Sequence, residues 1–191
     1  GGFGVDGSQG KQLAINYVRE NNIPYLGICL GLQMAVIEFA VNVLKLSDAS
    51  SCEFGECENS VIGLMTEWYD AAGNKEIRSN SSNLGGTMRL GAYECKIVEG
   101  TKLHNIYQSK SIFERNRHRY EVNINFKDAL ERKGMIFSGL SPDGMLPEAI
   151  ELKDHPWFIG AQFHPEFKSR PFAPHPLFND FVAASLKHHN S

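Results

Sequence analysis

Several features that would assign this protein to a specialised class are missing from its sequence. The 191 residues carry 19 Lys and Arg against 22 Asp and Glu, a net charge of −3, so the chain offers no basic surface to a nucleic acid. No apolar stretch is long enough to cross a membrane, and the first residues do not resemble a secretory leader. We therefore expect a cytoplasmic protein with no nucleic-acid or membrane partner.

Cysteine is also scarce. Its four positions, 29, 52, 57 and 95, lack the close pairing of a zinc site, so we expect no metal centre. One reactive thiol in a reducing compartment fits this pattern better than a disulfide framework. The chain has no internal repeat or low-complexity tract, and its 42% hydrophobic and 21% charged residues are ordinary for a soluble protein. Its length predicts one domain with a sizeable core.

The residues around Cys29 carry the first chemical signal. Residues 23–28 predict a short apolar strand, and apolar residues at helical spacing predict a helix over 30–45. Gly27 and Gly31 flank Cys29 where a side chain would collide in a tight turn between strand and helix. This is the pattern of a nucleophile elbow, with the thiol at a helix N-terminus that favours the thiolate. These seven residues alone are equally compatible with a buried, inert cysteine.

A base and a carboxylate follow a predicted strand near the other end of the chain. His164 and Glu166 lie two residues apart on a segment that we expect to be extended, so both side chains project to the same face. Pro165 stiffens the segment between them. A carboxylate that accepts the imidazole Nδ1–H leaves Nε2 free to take a proton from a thiol. Cys29, His164 and Glu166 therefore predict a catalytic triad.

The remaining pattern predicts a layered α/β domain. Ser8 is a candidate N-cap for an amphipathic helix over Ser8–Asn22, traced by Leu13, Ala14, Tyr17 and Val18. Strands or extended segments are predicted over Val61–Met65, Tyr93–Val98, Ser111–Asn123, Met135–Ser138, Glu148–Leu152 and Trp157–Gln162. A turn is predicted over Asp70–Asn74, and helices over Phe126–Arg132 and Pro176–Lys187.

The two motifs together resemble those of class I (triad-type) glutamine amidotransferases. The motifs are GICLGLQ at 27–33 and QFHPEF at 162–167. Further strings resemble the CTP synthase family within that class: GGFG at 1–4, LGGTMRLG at 84–91, RHRYEVN at 117–123, HPWF at 155–158 and HPLF at 175–178. The resemblance implies a three-layer α/β/α fold with a central, mostly parallel sheet. It also implies that residues 1–191 are a glutaminase domain lacking its first strands, without the synthetase domain.

The resemblance further implies roles for individual residues. Cys29 would attack the side-chain amide of L-glutamine, with His164 as base and acid and Glu166 holding the imidazole. The backbone N–H groups of Gly2 and Leu30 would form the oxyanion hole. The remaining residues would bind glutamine: Glu53 its α-ammonium, Arg119 its α-carboxylate, and Leu30, Gly31, Leu32 and Gln33 its side chain.

Cofactors and partners are expected by the same resemblance. In the family, ammonia passes to a synthetase domain that aminates UTP with ATP and Mg²⁺, and GTP is an allosteric activator. We expect no cofactor in this domain, and we expect Arg89 and the arginines at 115–119 to be candidates for coupling to GTP. The complete enzyme is expected to be a homotetramer, whereas this domain alone is compatible with a monomer.

Two departures and two alternatives accompany this interpretation. Asp6 and Val41 stand where the family usually has arginine, and the missing arginine at position 6 bears on loop ordering and the GTP response. A γ-glutamyl hydrolase or cysteine peptidase shares the elbow but has no reason to carry GGTMRLG or RHRYEVN. A non-catalytic amidotransferase-like module that regulates a partner is the other alternative, against which the intact triad argues.

Overall fold

The protein is described here from a computed structural model over residues 1–64, 67–69, 75–77 and 88–190. The predicted turn at Asp70–Asn74 and the first half of the LGGTMRLG string lie outside the described residues. Within the described ranges, the helices are too short or too polar to cross a membrane.

The elements alternate between helices and strands along the first third of the chain and are richer in strands thereafter. The helices are α1 (Ser8–Glu20), α2 (Leu30–Asn42), α3 (Lys102–Tyr107), α4 (Lys127–Glu131) and α5 (Pro176–His189). The strands are β1 (Tyr25–Ile28), β2 (Ser50–Ser51), β3 (Ser60–Leu64), β4 (Glu67–Tyr69), β5 (Lys75–Ile77), β6 (Arg89–Ile97), β7 (Ser111–His118), β8 (Tyr120–Val122), β9 (Met135–Leu140), β10 (Pro147–Leu152) and β11 (Phe158–Ala161). Most predicted elements are present, but α3 was missed because its single apolar turn gives no periodic signal.

A six-stranded sheet in the order β1-β11-β10-β9-β6-β7 forms the centre of the fold. β1 and β11 pair in parallel, with Gly27 opposite Gly160, whereas the other four pairings are antiparallel. The described sheet is therefore mixed rather than mostly parallel, and its parallel pair lies at the elbow. Short connections join β9, β10 and β11, and connections of that length permit only antiparallel neighbours.

Two apolar cores lie on opposite faces of this sheet, which confirms the three-layer α/β/α expectation. Strand β11 shows the alternation: Phe158 belongs to the core beneath α1 and α2, whereas Ile159 and Ala161 belong to the core that includes Leu177 of α5. Successive strand residues point to opposite faces, so a run of apolar residues feeds both cores. Gln162 follows next and returns to the face of α2.

Helix α1 begins at the predicted Ser8 and ends at Glu20, two residues earlier than predicted, and its buried side is not the predicted one. Leu13 is 66% and Tyr17 60% exposed, whereas Ile15 is buried and Val18 packs beside it on the core. The helix meets α2 through the stripe formed by Ile15, Val18 and Arg19, which has the same helical spacing. Gly7, rather than Ser8, occupies the N-cap position. The prediction that Leu13 and Tyr17 trace the core face was therefore wrong.

The two departures from the family pattern lie away from the sheet centre. Val41 packs against the core on the α2 side, where an apolar side chain contributes burial. Asp6 is exposed, and its backbone carbonyl accepts a hydrogen bond from Lys11 Nζ at 3.2 Å.

Candidate active site

Cys29 occupies the single residue between β1 and α2 and has an unusual backbone. Its φ of 52° and ψ of −106° are sterically unfavourable for a side-chain-bearing residue and turn the chain sharply from strand into helix. The Cys29 N–H still donates to the Ala161 carbonyl at 2.7 Å, so the parallel pairing with β11 continues up to the elbow. This geometry is that of a nucleophile elbow.

The two glycines beside Cys29 have different steric situations. A Cβ atom on Gly27 would lie 2.8 Å from the Gly31 carbonyl carbon and 2.7 Å from Tyr25 Oη, which leaves no room for a side chain. On Gly31 the nearest atom would be Tyr25 Oη at 3.5 Å, an ordinary van der Waals contact. The expected collision is therefore real at Gly27 and absent at Gly31. The Tyr25 hydroxyl also donates to the Gly31 carbonyl at 2.8 Å and so ties the strand to the helix.

The Cys29 sulfur atom is buried, and its environment favours the neutral thiol. Cys29 is 2% exposed, and burial raises the pKa of its thiol to about 11. The backbone N–H of Leu30 lowers that pKa, as expected at a helix N-terminus, but offsets the burial incompletely. The helix N-terminus therefore does not produce a thiolate unaided, and the site needs a base.

His164 is positioned by its backbone and by its Nδ1 atom. Its N–H donates to the Arg115 carbonyl at 2.8 Å, and Nδ1 lies 2.6 Å from Glu166 Oε1. The imidazole stacks on Phe167 with ring centroids 5.2 Å apart. His164 Nε2 is buried and has no hydrogen-bond partner within the described part of the chain. Because Nδ1 is engaged, Nε2 is the nitrogen available for proton transfer.

The segment that carries the pair is not extended as predicted. His164 caps a turn of 3-10 helix over Pro165–Phe167, in which Pro165 takes the first helical position. Proline is well suited to that position because its fixed φ matches the helix and no N–H is needed there. The predicted contact between Glu166 and the imidazole is present, but a tight helical turn rather than an extended strand brings the two side chains together.

Strand β7 is at the edge of the sheet and lines the cleft with its free carbonyl groups. The Arg115 carbonyl accepts from the His164 N–H, and the Arg117 carbonyl lies 3.9 Å from Cys29 Sγ. Alternate residues on one strand edge are roughly 7 Å apart. The strand thereby contacts the backbone of His164 and the sulfur atom of Cys29 from neighbouring positions.

The N-terminal glycine loop lies against both halves of the site. A Cβ atom built on Gly1 would be 3.3 Å from His164 Cε1, and one on Gly2 would be 3.4 Å from Leu30 Cδ2. The N–H of Gly4 donates to Glu53 Oε1 at 2.9 Å. The structure thus brings together Gly2, Leu30 and Glu53, which the sequence places in three separate segments.

The other predicted binding residues are distributed between the cleft and the core. The Leu32 side chain is fully buried and packs toward Gly160, so it does not face the cleft. Gln33 is 3% exposed, and its Nε2 donates to the Tyr120 carbonyl at 2.8 Å and to Gln162 Oε1 at 3.2 Å. Arg119 is half-buried at the bend between β7 and β8, next to Tyr120.

Some contacts of this site were not identified from the sequence. Gln162 Nε2 lies 3.6 Å from Cys29 Sγ, and the residue is 0% exposed. The spacing held a usable signal, since Gln162 and His164 are two residues apart after a strand and share a face. The backbone carbonyls of Arg115 and Arg117 leave no signal in a sequence, because every residue type has one.

A buried charged cluster lies close enough to Cys29 for the charge of Glu121 to act on its thiol. Arg89 forms ion pairs with Glu148 and, at 3.4 Å, with Glu121, whose carboxylate lies 2.5 Å from His118 Nε2. Burial raises the pKa of Glu148, although the charge of Arg89 opposes that shift. Arg89 was a candidate for coupling to GTP, and the structure places its side chain inside the protein, 3% exposed.

The other cysteines and the metal-ligating side chains form no second site in the described ranges. Cys52 is exposed, Cys57 is half-buried, and Cys95 is buried in the core on the α5 side, where burial raises the pKa of its thiol. In these ranges no three His, Cys, Asp or Glu side chains are grouped as metal ligands would be.

Known proteins share the motifs of this chain over nearly its whole length. Residues 1–184 match the family model described as glutamine amidotransferase class-I. The chain is 59% identical over 187 residues to the CTP synthase of Zymomonas mobilis and 60% identical over 188 residues to that of Pelagibacter ubique. Each alignment covers 98% of this chain, which spans about a third of those curated relatives, 34% and 35%.

A solved structure is similar over nearly the whole chain. It is the glutaminase domain of Trypanosoma brucei CTPS with bound acivicin, which superposes with a TM-score of 0.86 at 39% identity. The superposition covers 98% of this chain and 69% of that one.

Proposed function

Because the chain belongs to the class I glutamine amidotransferase family, we propose that it is the glutaminase part of a CTP synthase. In this role it hydrolyses L-glutamine to glutamate and ammonia. The observation that carries the proposal is the backbone of Cys29, whose φ of 52° in a strand–helix elbow presents the thiol to a cleft that also holds His164. A cysteine with a purely structural role has no need of that strained conformation.

The first half of the reaction forms a thioester. His164 Nε2 takes the Cys29 proton, and the thiolate attacks the side-chain amide carbon of glutamine. The tetrahedral intermediate that forms carries its negative charge on oxygen, where the N–H groups of Leu30 and Gly2 stabilise it. The intermediate collapses as the carbon–nitrogen bond breaks and His164 returns the proton to the departing ammonia.

The second half releases glutamate. A water molecule loses a proton to His164 and attacks the thioester carbon, and the carbon–sulfur bond then breaks. The Cys29 sulfur recovers the proton from His164. Glu166 keeps Nδ1 of the imidazole engaged in both halves, so that Nε2 alternates between base and acid, which is the triad logic.

Recognition of glutamine requires groups that match its two charges. Glu53 is assigned to the α-ammonium and Arg119 to the α-carboxylate. Glu53 Oε1 already accepts from the N–H of Gly4 at 2.9 Å, a contact that places the carboxylate beside the glycine loop. Leu30, Gly31, Leu32 and Gln33 are assigned to the slot for the side-chain amide, Leu32 through its backbone because its side chain is buried.

The use of the ammonia belongs to the whole protein. In the complete enzyme ammonia passes to a synthetase domain, where UTP is aminated to CTP with ATP and Mg²⁺. GTP activates the hydrolysis, and the complete enzyme is a cytoplasmic homotetramer in this proposal. The similarity to two bacterial CTP synthases over 98% of the chain supports this assignment.

A glutaminase assay tests the proposal directly. We expect the chain to release ammonia from L-glutamine, alone or with a synthetase partner and GTP, and Cys29→Ala to abolish that release. Cys52→Ala, at an exposed cysteine, is the matched control and should retain it. If no ammonia is released under any of these conditions, the chain is a non-catalytic module.

Covalent labelling tests which cysteine is the nucleophile. The diazoketone analogue of glutamine should alkylate Cys29, as read by mass spectrometry of peptides, and the adduct should disappear in Cys29→Ala. An adduct on Cys52, Cys57 or Cys95 instead would overturn the elbow assignment.

A further inference from the structure

Two buried side-chain amides connect a backbone carbonyl to the Cys29 sulfur atom. Gln33 Nε2 donates to the Tyr120 carbonyl at 2.8 Å and to Gln162 Oε1 at 3.2 Å. Gln162 Nε2 in turn lies 3.6 Å from Cys29 Sγ. Gln162 is 0% and Gln33 3% exposed, so water has no access with which to replace these contacts.

The direction of this chain of hydrogen bonds is fixed at its far end. The Tyr120 carbonyl can only accept, so Gln33 must present its NH₂ group to it. The same NH₂ group is the neighbour of Gln162, which must therefore present its carbonyl oxygen. The amide of Gln162 is then oriented with its NH₂ group toward Cys29, and a flipped amide would set two donors against each other.

The sulfur atom has matching partners on two sides. A thiol has one weak donor and a weak acceptor. The Cys29 thiol donates toward the Arg117 carbonyl at 3.9 Å and accepts from Gln162. When the proton leaves, the contact with the Arg117 carbonyl loses its attraction, whereas an N–H donor interacts more strongly with the thiolate than with the thiol.

From this geometry we propose that Gln162 is a further catalytic residue, which donates a hydrogen bond to the Cys29 sulfur and stabilises its thiolate form. Gln33 is the positioning residue that orients Gln162, in addition to any contact it makes with substrate. The inference rests on the proposed function, since it assigns Gln162 to the nucleophile of that reaction. Packing alone would not require an amide at this fully buried position, and the proposed hydrogen bond to sulfur explains why one is there.

Other groups around Cys29 also act on its charge. Burial dominates and raises the pKa of the thiol, the charges of Glu121 and Glu166 raise it further, and the Leu30 N–H lowers it. His164 completes the set as the proton acceptor. Substitution of Gln162 leaves all of these in place, so a change in the titration of Cys29 reports the lost donor.

The test is the pH dependence of Cys29 alkylation by iodoacetamide in the 191-residue chain without glutamine, followed by mass spectrometry of the Cys29 peptide. In Gln162→Met, which keeps the length of the side chain but has no donor, we expect the pKa of Cys29 to rise by about one unit. The alkylation rate at neutral pH should fall about threefold, because the thiolate fraction falls about tenfold while a more basic thiolate reacts faster. In the glutaminase assay, kcat should fall about tenfold with KM nearly unchanged.

Two further variants keep the result interpretable. Gln33→Met frees the Gln162 amide to rotate and should raise the pKa of Cys29 by a smaller amount. This variant still tests the inference if Gln162→Met does not fold. Phe163→Leu removes core volume next to Gln162, on the opposite face, and should lower stability without moving the titration of Cys29.

The outcomes separate the two claims. If folded Gln162→Met and Gln33→Met both titrate like the unchanged chain, the inference is wrong while the glutaminase proposal stands. If Phe163→Leu shifts the titration as much as Gln162→Met does, the role of Gln162 is packing, and the inference is again wrong. If the unchanged chain neither releases ammonia nor reacts at Cys29, the proposed function itself fails.

Discussion

Cys29 combines a strained backbone with a buried sulfur atom, and both features fit its proposed role as a nucleophile that loses its proton only during the reaction. A thiolate present at all times would react with any electrophile that enters the cleft. With a thiol pKa of about 11, the nucleophile forms mainly when His164 accepts the proton. This site therefore depends more on its base than a site whose cysteine has a lowered pKa.

The raised pKa of Cys29 predicts a loss of stability at alkaline pH. The unfolded chain releases this proton near its ordinary value of 9.0, whereas the folded chain holds it to about 11. Between these values the folded state binds more protons, so the free energy of unfolding falls as pH rises. We expect Cys29 to contribute about 3 kcal/mol to this decline.

Urea unfolding at several pH values measures that contribution. Cys29→Ala should show a shallower decline across the interval than the unchanged chain. Cys52→Ala, at an exposed thiol, is the control and should follow the unchanged chain. Equal slopes in Cys29→Ala and the unchanged chain would contradict the burial argument.

At the scale of elements, the elbow depends on the close approach of β1 and the start of α2. The steric difference between Gly27 and Gly31 predicts opposite tolerances to alanine. Gly27→Ala places a Cβ atom 2.8 Å from backbone that cannot yield, so we expect it to cost about 2–4 kcal/mol and to abolish glutaminase activity. Gly31→Ala meets an ordinary 3.5 Å contact inside a helix, where alanine gains up to about 1 kcal/mol over glycine.

Thermal unfolding of the two variants provides the measurement. Because each adds a single methyl group four residues apart in sequence, each variant is the control for the other. Similar melting temperatures for both variants would show that the turn is less tight than the geometry implies.

The pairing of α1 with α2 includes a buried charge. Arg19 Nε lies 3.1 and 3.0 Å from the two carboxylate oxygens of Glu38, whose side chain is 0% exposed. Removing the arginine leaves that carboxylate buried without its cation, so Arg19→Met should cost about 3–5 kcal/mol. The double variant Arg19→Met/Glu38→Leu should recover most of the loss, since neither charge remains.

Chemical denaturation of the single and double variants gives the coupling energy. A double variant no more stable than Arg19→Met alone would show that packing at this position, rather than charge, dominates. Lys11→Met on the exposed side of α1 is the matched control and should change stability by less than about 0.5 kcal/mol.

The elements show which parts of the fold can be predicted from a sequence. The strand before Cys29 and the helix after it were predictable because glycine spacing and apolar periodicity act locally. The buried side of α1 was not, because Leu13 and Ile15 are equally apolar and the choice between them depends on where α2 lies. The 3-10 turn at Pro165–Phe167 was missed because Pro165 is compatible with both an extended chain and a first helical turn.

For the whole molecule, the buried Arg89 connects parts of the fold that share no backbone pairing. Glu121 is on β8 of the three-stranded sheet, whereas Glu148 is on β10 of the six-stranded sheet. Arg89 forms ion pairs with both carboxylates and so joins the two sheets, whose strands β8 and β10 do not pair with each other. The charge of Glu121 acts on the Cys29 thiol, so the loss of Arg89 should also be felt there.

Arg89→Met should therefore be among the most destabilising substitutions in the chain. It leaves two buried carboxylates without their cation, and we expect a cost of about 3–5 kcal/mol in the free energy of unfolding. Arg115→Met, at an exposed position of the neighbouring β7, is the matched control for stability and should cost less than about 0.5 kcal/mol. Denaturant unfolding compares the two, and comparable costs would contradict the assigned importance of burial.

The candidate site was predictable to the extent that it depends on side-chain identity. Cys29, His164 and Glu166 have chemistry that points to one another across more than a hundred residues. The carbonyl groups of β7 and the amide of Gln162 act through position alone, and position is known only once the strands are paired. A sequence therefore yields the reacting groups more readily than the groups that orient them.

The positive φ of Cys29 has a consequence for the history of such domains. A glycine at this position would adopt the φ of 52° without penalty, removing strain of about 1–3 kcal/mol. Cysteine and glycine codons differ by a single base, so the exchange is one mutation away. Relief of that strain alone would favour glycine, so the thiol at this elbow serves the proposed hydrolysis of glutamine rather than folding.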